Sequence, residues 1–277
     1  ASPSLPRNAL TGRRYSGVNI LLLWAAGIEG GYPSASWLTF RQALQAGGAV
    51  RKGERGATVV FADRFTPEAE RERARANGGE ARAIPFLKRF TLFNVAQCEG
   101  LRAGLAEDPA PRSAAEIIPH AEALIAATGA DFRVGGGEAY YSQTGDYVAV
   151  PSRSAFADPN DYYDTAFHEL SHWTGHAARL ARDMGDRSDM KKYGREELCA
   201  EISASFVGAA LGLVPTVRHA DYAGFWLDIL REDNRAIFRA ASHASKAADY
   251  LLAFAGPCAG EDAREADDMA GNGGSAT

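Results

Sequence analysis

Cysteine is scarce in this chain. Its 277 residues hold three, Cys98, Cys199 and Cys258, odd in number and far apart. That usage excludes a disulfide framework and points to a reducing compartment. None has the C-x-x-C spacing of a structural zinc site. Long apolar runs are missing as well. The longest near the N-terminus, Ile20 to Ile28, falls far short of the roughly 20 residues that span a bilayer, and no signal-peptide cleavage pattern follows it. The expectation is a cytoplasmic protein with no membrane partner. No internal repeat is visible.

The apolar content, 46%, is ample for one large or two small cores. Charge divides the chain unevenly. Residues 1–130 hold 16 Lys and Arg against 12 Asp and Glu, a formal +4, whereas residues 131–277 hold 14 against 23, a formal −9. A mildly basic module joined to an acidic one suggests that the first handles something anionic. The Pro-rich polar stretch 107–113 reads as the linker, closed by Ser113 as a helix N-cap. The expected organisation is therefore 1–106, linker 107–113, 114–257 and a flexible acidic tail over 258–277.

The N-terminal module reads as α+β. Asn19–Ala26 and Ser36–Gln45 carry helical patterns, while Ala57–Ala62 and Phe86–Val95 are rich in β-branched and aromatic residues and read as strands. Between them lies a tight basic turn, Arg51 to Gly56. Residues 67–82 are charged and glycine-broken, and read as a mobile insertion. Basic and aromatic residues interleave along this module: Arg13, Arg14, Tyr15 and Asn19, then Trp37, Arg41 and Gln42, then Lys52, Lys88 and Arg89. Single-strand binders pair a basic groove with aromatic faces on which bases stack. Most of the aromatics are equally explained as core. Tyr15, flanked by arginines and a glycine, is the strongest exposed candidate.

The acidic module carries His168-Glu169-Leu170-Ser171-His172. Residues four apart stand on one face of a helix, so His168 and His172 can grip one ion. Glu169 is then placed to take a proton from water. Asp158-Pro159-Asn160 offers a helix start and Gly175 a stop. A catalytic zinc site wants a third protein ligand. Downstream, Arg195 to about Leu213 is strongly helical, and Glu197 and Glu201 share a face. This segment resembles the gluzincin arrangement, in which one such glutamate is the third ligand and an acid four residues later braces a ligand histidine. Glu196 competes for the ligand role, pointing about 100° away. The metzincin pattern fails, because its third histidine position holds Ala178. His176 comes two residues too early, about 12 Å along the axis from His168. It reads instead as a rim residue, and with Tyr193 it is a candidate for stabilising an oxyanion.

Taken together, several words look like one family. Thr11–Asn19, Trp37–Ala43, Val50–Glu54 and Phe93–Val95 resemble the single-stranded-DNA-binding domain of ArdC-type antirestriction proteins. Ala139–Tyr141, His168–His176 and Glu196–Glu201 resemble the zincin-like peptidase domain that follows it. The resemblance implies an α+β architecture: a small nucleic-acid-binding domain, then a gluzincin-like metallopeptidase domain. In the latter, a short sheet (Asp131–Val134, Ala139–Ser142, Asp146–Val150) would pack beside the metal helix, with further helices near 221–231 and 234–254. It implies a plasmid-borne protein that binds single-stranded DNA during conjugation and protects it from host type I restriction. The cofactor would be one Zn2+, with Mn2+ or Co2+ also suited to two histidines and a carboxylate. The peptidase target would be a host restriction component or a DNA-bound protein. Two other readings stand beside this one: a DNA-binding protein whose zincin domain is purely structural, and a DNA-dependent protease.

Overall fold

The computed structural model describes residues 4–105, 114–185, 189–213, 233 and 235–256. In the N-terminal part, β1 (Arg7–Asn8), β2 (Ser36–Thr39), β5 (Ile84–Asn94) and β4 (Ala57–Phe65) form one sheet in that spatial order. The β1–β2 pair is parallel, and β2–β5 and β4–β5 are antiparallel. Helix α1 (Val18–Gly30) covers one face, with Leu23 packed among Trp37, Val59 and Leu92. Gly17 precedes α1 at φ 60 and Gly31 follows it at φ 60, a left-handed conformation that a side chain would strain. A smaller pair, β3 (Ala49–Val50) with β6 (Cys98–Glu99), lies beside it.

The helix expected over Ser36–Gln45 is in fact a strand followed by a helix, α2 (Phe40–Gln45). Thr39 divides them. Its hydroxyl accepts from the Gln42 N–H at 3.2 Å, and Gln42 Oε1 accepts from the Thr39 N–H at 2.9 Å. This reciprocal box starts a helix at residue 40, while Ser36, Trp37 and Leu38 are buried on both sides of the sheet. The segment expected as a glycine-broken insertion contains a helix, α3 (Glu68–Asn77), which buries none of its residues. Pairs three apart, Glu68–Arg71 and Glu70–Arg73, support it. The glycines only end it, Gly78 adopting φ 65.

The C-terminal part begins with α4 (Ala114–Ala127), then β7 (Asp131–Val134), β8 (Tyr140–Ser142) and β9 (Tyr147–Val150), close to the expected strands. β9 is central, parallel to β7 and antiparallel to β8. Three helices follow: α5 (Pro159–Thr174), α6 (Met190–Leu211) and α7 (Ala236–Leu252). Their core gathers Phe167, Leu170, Leu198, Phe206, Ala244 and Leu251 over Val148 and Val150. The proposed linker 107–113, the helix near 221–231 and the tail 258–277 lie outside the described residues.

Helix α1 also belongs to this second core. Ile20 is buried within it, and Trp24 meets Phe206 edge-on at 5.6 Å between ring centroids. The Gly17 N–H donates to Ser245 Oγ on α7 at 2.7 Å. One helix thus has the sheet on one side and the helical bundle on the other. No helix among the described residues is long and apolar enough to cross a membrane.

Candidate metal centre and nucleic-acid surface

Helix α5 starts at Asp158, whose carboxylate accepts from the Asn160 N–H at 2.8 Å, with Pro159 in the first turn and Gly175 at the end. Every residue from Ala166 to Thr174 is buried. The helix period sets His168 and His172 one above the other, with their Nε2 atoms 3.2 Å apart. Helix α6, capped by Asp189 through the Lys192 N–H at 3.1 Å, crosses α5. Ser171 Oγ donates to Ser203 Oγ at 2.9 Å within that contact.

The crossing separates the three glutamates of α6. Glu197 faces the histidine pair, Oε2 lying 3.4 Å from His168 Nε2 and Oε1 3.5 Å from His172 Nε2. Glu201 lies one turn on, its Oε2 3.1 Å from His168 Nδ1. Glu196 lies on the other flank, 3.3 Å from His172 Nδ1. Each imidazole therefore has an acid on its outer nitrogen and turns its inner nitrogen to a common point. Candidate ligand atoms of His168, His172 and Glu197 all lie within 4.8 Å of one another. A tetrahedral ion with bonds of about 2.0–2.1 Å needs ligand atoms about 3.3 Å apart, so these residues fit a divalent metal.

Electrostatics agree with that fit. Burial alone lowers the pKa of both histidines. The hydrogen-bonding carboxylates outweigh it, Glu197 and Glu201 at His168 and Glu196 and Glu197 at His172, so both are raised. Burial raises Glu197, yet the two histidines more than offset this and hold it well below the usual carboxylate range. Glu169 is 8% exposed and has no hydrogen bond or ion pair among the described residues. Its charge adds to those that raise His168, so it adjoins the ligand cluster with no hydrogen bond holding its carboxylate.

Sequence reasoning missed a second tier. Arg182 is buried and donates through Nη2 to Glu196 Oε1 at 2.6 Å and through Nε to Oε2 at 3.1 Å. It also donates to Thr174 Oγ1 at 2.7 Å and to the Ser171 carbonyl at 2.6 Å, tying the end of α5 to α6. Arg179 lies over the Trp173 ring at 4.0 Å and pairs with Asp146 through both terminal nitrogens. His176 belongs to this rim. Its Nδ1 accepts from the Ala178 N–H at 3.2 Å and lies 4.0 Å from Asp146 Oδ2, outside the ligand cluster. Tyr193 stands one helical turn before Glu197, on the same face of α6. Neither arginine carries a motif, because nothing in a sequence marks which cation folds back onto a metal helix.

The nucleic-acid candidates separate by exposure. Trp37 is 2% exposed and belongs to the core under α1, so it offers no stacking face. Tyr15, expected to be exposed, packs against both cores, and burial, only partly offset by a hydrogen bond with Asn8, pushes its hydroxyl up to about 12. Asn19 is engaged by the edge strand, donating to the Val60 carbonyl at 2.8 Å and accepting from its N–H at 2.9 Å. Gln42 is held by the α2 cap and by Asn8. Arg13, Arg14, Arg41, Lys52, Lys88 and Arg89 remain at the surface.

Two family models match. The N-terminal domain of anti-restriction factor ArdC covers residues 1–93, and a zincin-like metallopeptidase covers residues 119–243. A DNA primase TraC of Escherichia coli is 36% identical over 263 residues, 90% of this chain and 18% of the primase. The chain thus spans about a fifth of that relative's length. The protein y4eC of Sinorhizobium fredii (strain NBRC 101917 / NGR234) is 39% identical over 257 residues, covering 90% of this chain and 81% of its own length. The antirestriction ArdC protein from the R388 plasmid superposes with a TM-score of 0.77 in its metal-free form, at 42% identity over 91% of this chain and 89% of that one. Its Mn(II)-bound form gives 0.75 at 40% identity, with the same coverage. By sequence and by fold, the chain belongs to the family of ArdC-type antirestriction proteins with a zincin-like metallopeptidase domain.

Proposed function

We propose that this protein binds single-stranded DNA as it enters a cell during conjugative transfer, protects it from host type I restriction, and hydrolyses a peptide bond in a protein target at a metal-dependent site. The observation that carries the catalytic half is Glu169, buried beside the ligand cluster with no hydrogen bond to its carboxylate among the described residues. A carboxylate with only a structural task would be hydrogen-bonded. His168, His172 and Glu197 would hold the metal. Zinc is the first choice for two imidazoles and a carboxylate, and Mn2+ is the alternative suggested by the R388 relative. When bound there, the ion supplies Lewis acidity that makes water nucleophilic near neutral pH and polarises a carbonyl.

The chain's own groups divide the remaining work. Glu169 accepts a proton at a carboxylate oxygen and returns it to the leaving amine. Glu201 and Glu196 each hold an Nδ1 proton, which keeps the inner nitrogens aimed at the ligand point. Tyr193 donates to the developing oxyanion, with His176 the second candidate on the rim. Glu169→Gln tests this assignment. Expected are unchanged metal content and DNA binding, with loss of proteolysis and of whatever protection depends on it. A variant that retains both activities would remove the catalytic reading.

The purely structural zincin lacks support. Side-chain contacts, Ser171–Ser203 and Arg182–Glu196, themselves tie the α5–α6 crossing. A DNA-dependent protease is favoured by one observation: α1 links the sheet to Phe206 on α6, the helix that carries Glu197. Stimulation of cleavage by single-stranded DNA would support it, and DNA-independent cleavage would count against it.

A further inference from the structure

Lys88 and Arg89 are neighbours in sequence and cannot serve one surface. Successive strand residues point to opposite faces of a sheet, and the β4–β5 register fixes which face each takes. Val59 pairs with Phe90 and Ala57 with Leu92 on the face that α1 covers, and Phe61 pairs with Lys88 farther along the same face. The other face carries Thr58 opposite Thr91, Val60 opposite Arg89, and Ala62 opposite Leu87. All six are exposed or half-buried, and Leu87 is 63% exposed. Among the described residues of these two strands, that face carries no acid.

The geometry points to this uncovered β4–β5 face as the track for single-stranded nucleic acid. The inference rests on the single-strand-binding reading above and adds where the strand lies. Arg89 in the middle supplies a phosphate contact. Thr58 and Thr91 supply hydroxyls of the kind that bind phosphate and sugar. Leu87 and the half-buried Phe93 give apolar surface for bases, as sheet-borne platforms do in other single-strand binders.

The basic turn 51–56 is set against one end of this face. A Cβ on Gly56 would lie 2.7 Å from the Leu92 carbonyl oxygen and 3.1 Å from Phe93 Cε1, so only glycine admits this approach. Within the turn, the one acid is neutralised: Glu54 accepts from Arg51 at 2.7 Å and from Gln97 at 2.9 Å. Lys52 and Arg55 stay exposed, with no ion pair among the described residues. The turn therefore extends a cationic border along a face that is otherwise hydroxyl and apolar. The opposite face offers Lys88 over Phe86 at 5.3 Å, but α1 occupies its inner half.

A matched pair of charge reversals tests the assignment, because Arg89→Glu and Lys88→Glu change net charge equally at adjacent positions. The probe is a fluorescent oligo-dT strand titrated with the full-length chain, read by anisotropy at several salt concentrations. Circular dichroism and melting temperature on each variant check the fold. Arg89→Glu is expected to weaken binding about tenfold more than Lys88→Glu. The milder Arg89→Gln is expected to lower the salt slope by about one unit. Equal losses from the two reversals would overturn the face assignment, and a larger loss from Lys88→Glu would move the track to the Phe61–Phe86 side. A wild-type chain that binds no single strand would instead remove the DNA-binding reading itself.

Discussion

Arg182 grips both carboxylate oxygens of Glu196, whose Oε1 lies in turn 3.3 Å from His172 Nδ1. A guanidinium that carries no metal ligand thereby determines the orientation of one. Arg182 and Glu196 side chains are 4% and 6% exposed, so the pair stands where removing one partner strands a buried charge. Arg182→Met is expected to cost about 3 kcal/mol in urea unfolding of the metal-free protein. Adding Glu196→Leu should recover much of that stability. Metal affinity should behave differently, falling about 10- to 100-fold in both variants, because Glu196 loses its anchor in the first and His172 loses Glu196 itself in the second. A double variant that recovered affinity along with stability would argue against the positioning role.

The paired histidines predict a pH dependence of metal uptake. With an acid at each Nδ1 and Glu197 3.4 and 3.5 Å from the two Nε2 atoms, each ring can hold a proton on its inner nitrogen. The surrounding carboxylates raise both pKa values despite burial, so both inner nitrogens stay protonated at neutral pH. A metal ion must displace both protons. Affinity should therefore rise by up to about a hundredfold per pH unit from pH 6 to 8, with two protons released per ion, measurable by calorimetry in buffers of different ionisation enthalpy.

The same two protons set the sign for the metal-free fold. Their stabilisation is complete below the unfolded histidine value of about 6.5 and is lost as pH climbs through the raised folded values. The metal-free melting temperature should fall on the alkaline side, and that of the metal-loaded protein should not. Thermal scans at pH 6 and pH 9 would check both.

Glu169→Gln should abolish proteolysis with little change in stability. Glu169 has no hydrogen bond among the described residues, and the isostere gives up only its attraction to the His168 imidazole. The expected change in urea unfolding is within about 1 kcal/mol. A larger loss of stability would mean that Glu169 makes an interaction essential to the fold.

Trp37 lies under α1 with Leu23, Val59 and Leu92. Trp37→Ala should cost about 3–5 kcal/mol as a large-to-small core change. Any loss of DNA binding should track unfolding, so binding at a temperature where the variant stays folded should match the wild type. A folded Trp37→Ala chain with weakened binding would restore Trp37 to the DNA surface.

Local spacing made one end of the site legible. The i, i+4 histidines, the N-cap at Asp158 and the Glu197–Glu201 repeat follow from the helix period, which any stretch of chain obeys wherever it lies in the fold. The strands at 131–134 and 147–150 were expected from the family resemblance, not from a local pattern, and Asp131-Phe132-Arg133-Val134 carries no apolar run of its own. The reading failed at Ser36–Gln45. There the capping box at Thr39 was present in the letters, but the burial of Trp37 and Leu38 on opposite faces of a strand was not.

What the sequence by itself determined was the set of groups available: two histidines on one helical face, three acids on the next long helix, and a basic turn followed by two strands. Which of Glu196 and Glu197 meets the inner nitrogens depended on the angle at which α6 crosses α5, a relation between segments 24 residues apart. Arg182 joined the site for the same reason. In the N-terminal part, the sheet register placed Lys88 and Arg89 on opposite faces, and the packing of α1 buried Trp37 and engaged Tyr15 and Asn19. Periodicity is written in neighbouring residues, whereas the partner of each face is chosen by long-range packing, and only the tertiary structure holds that choice.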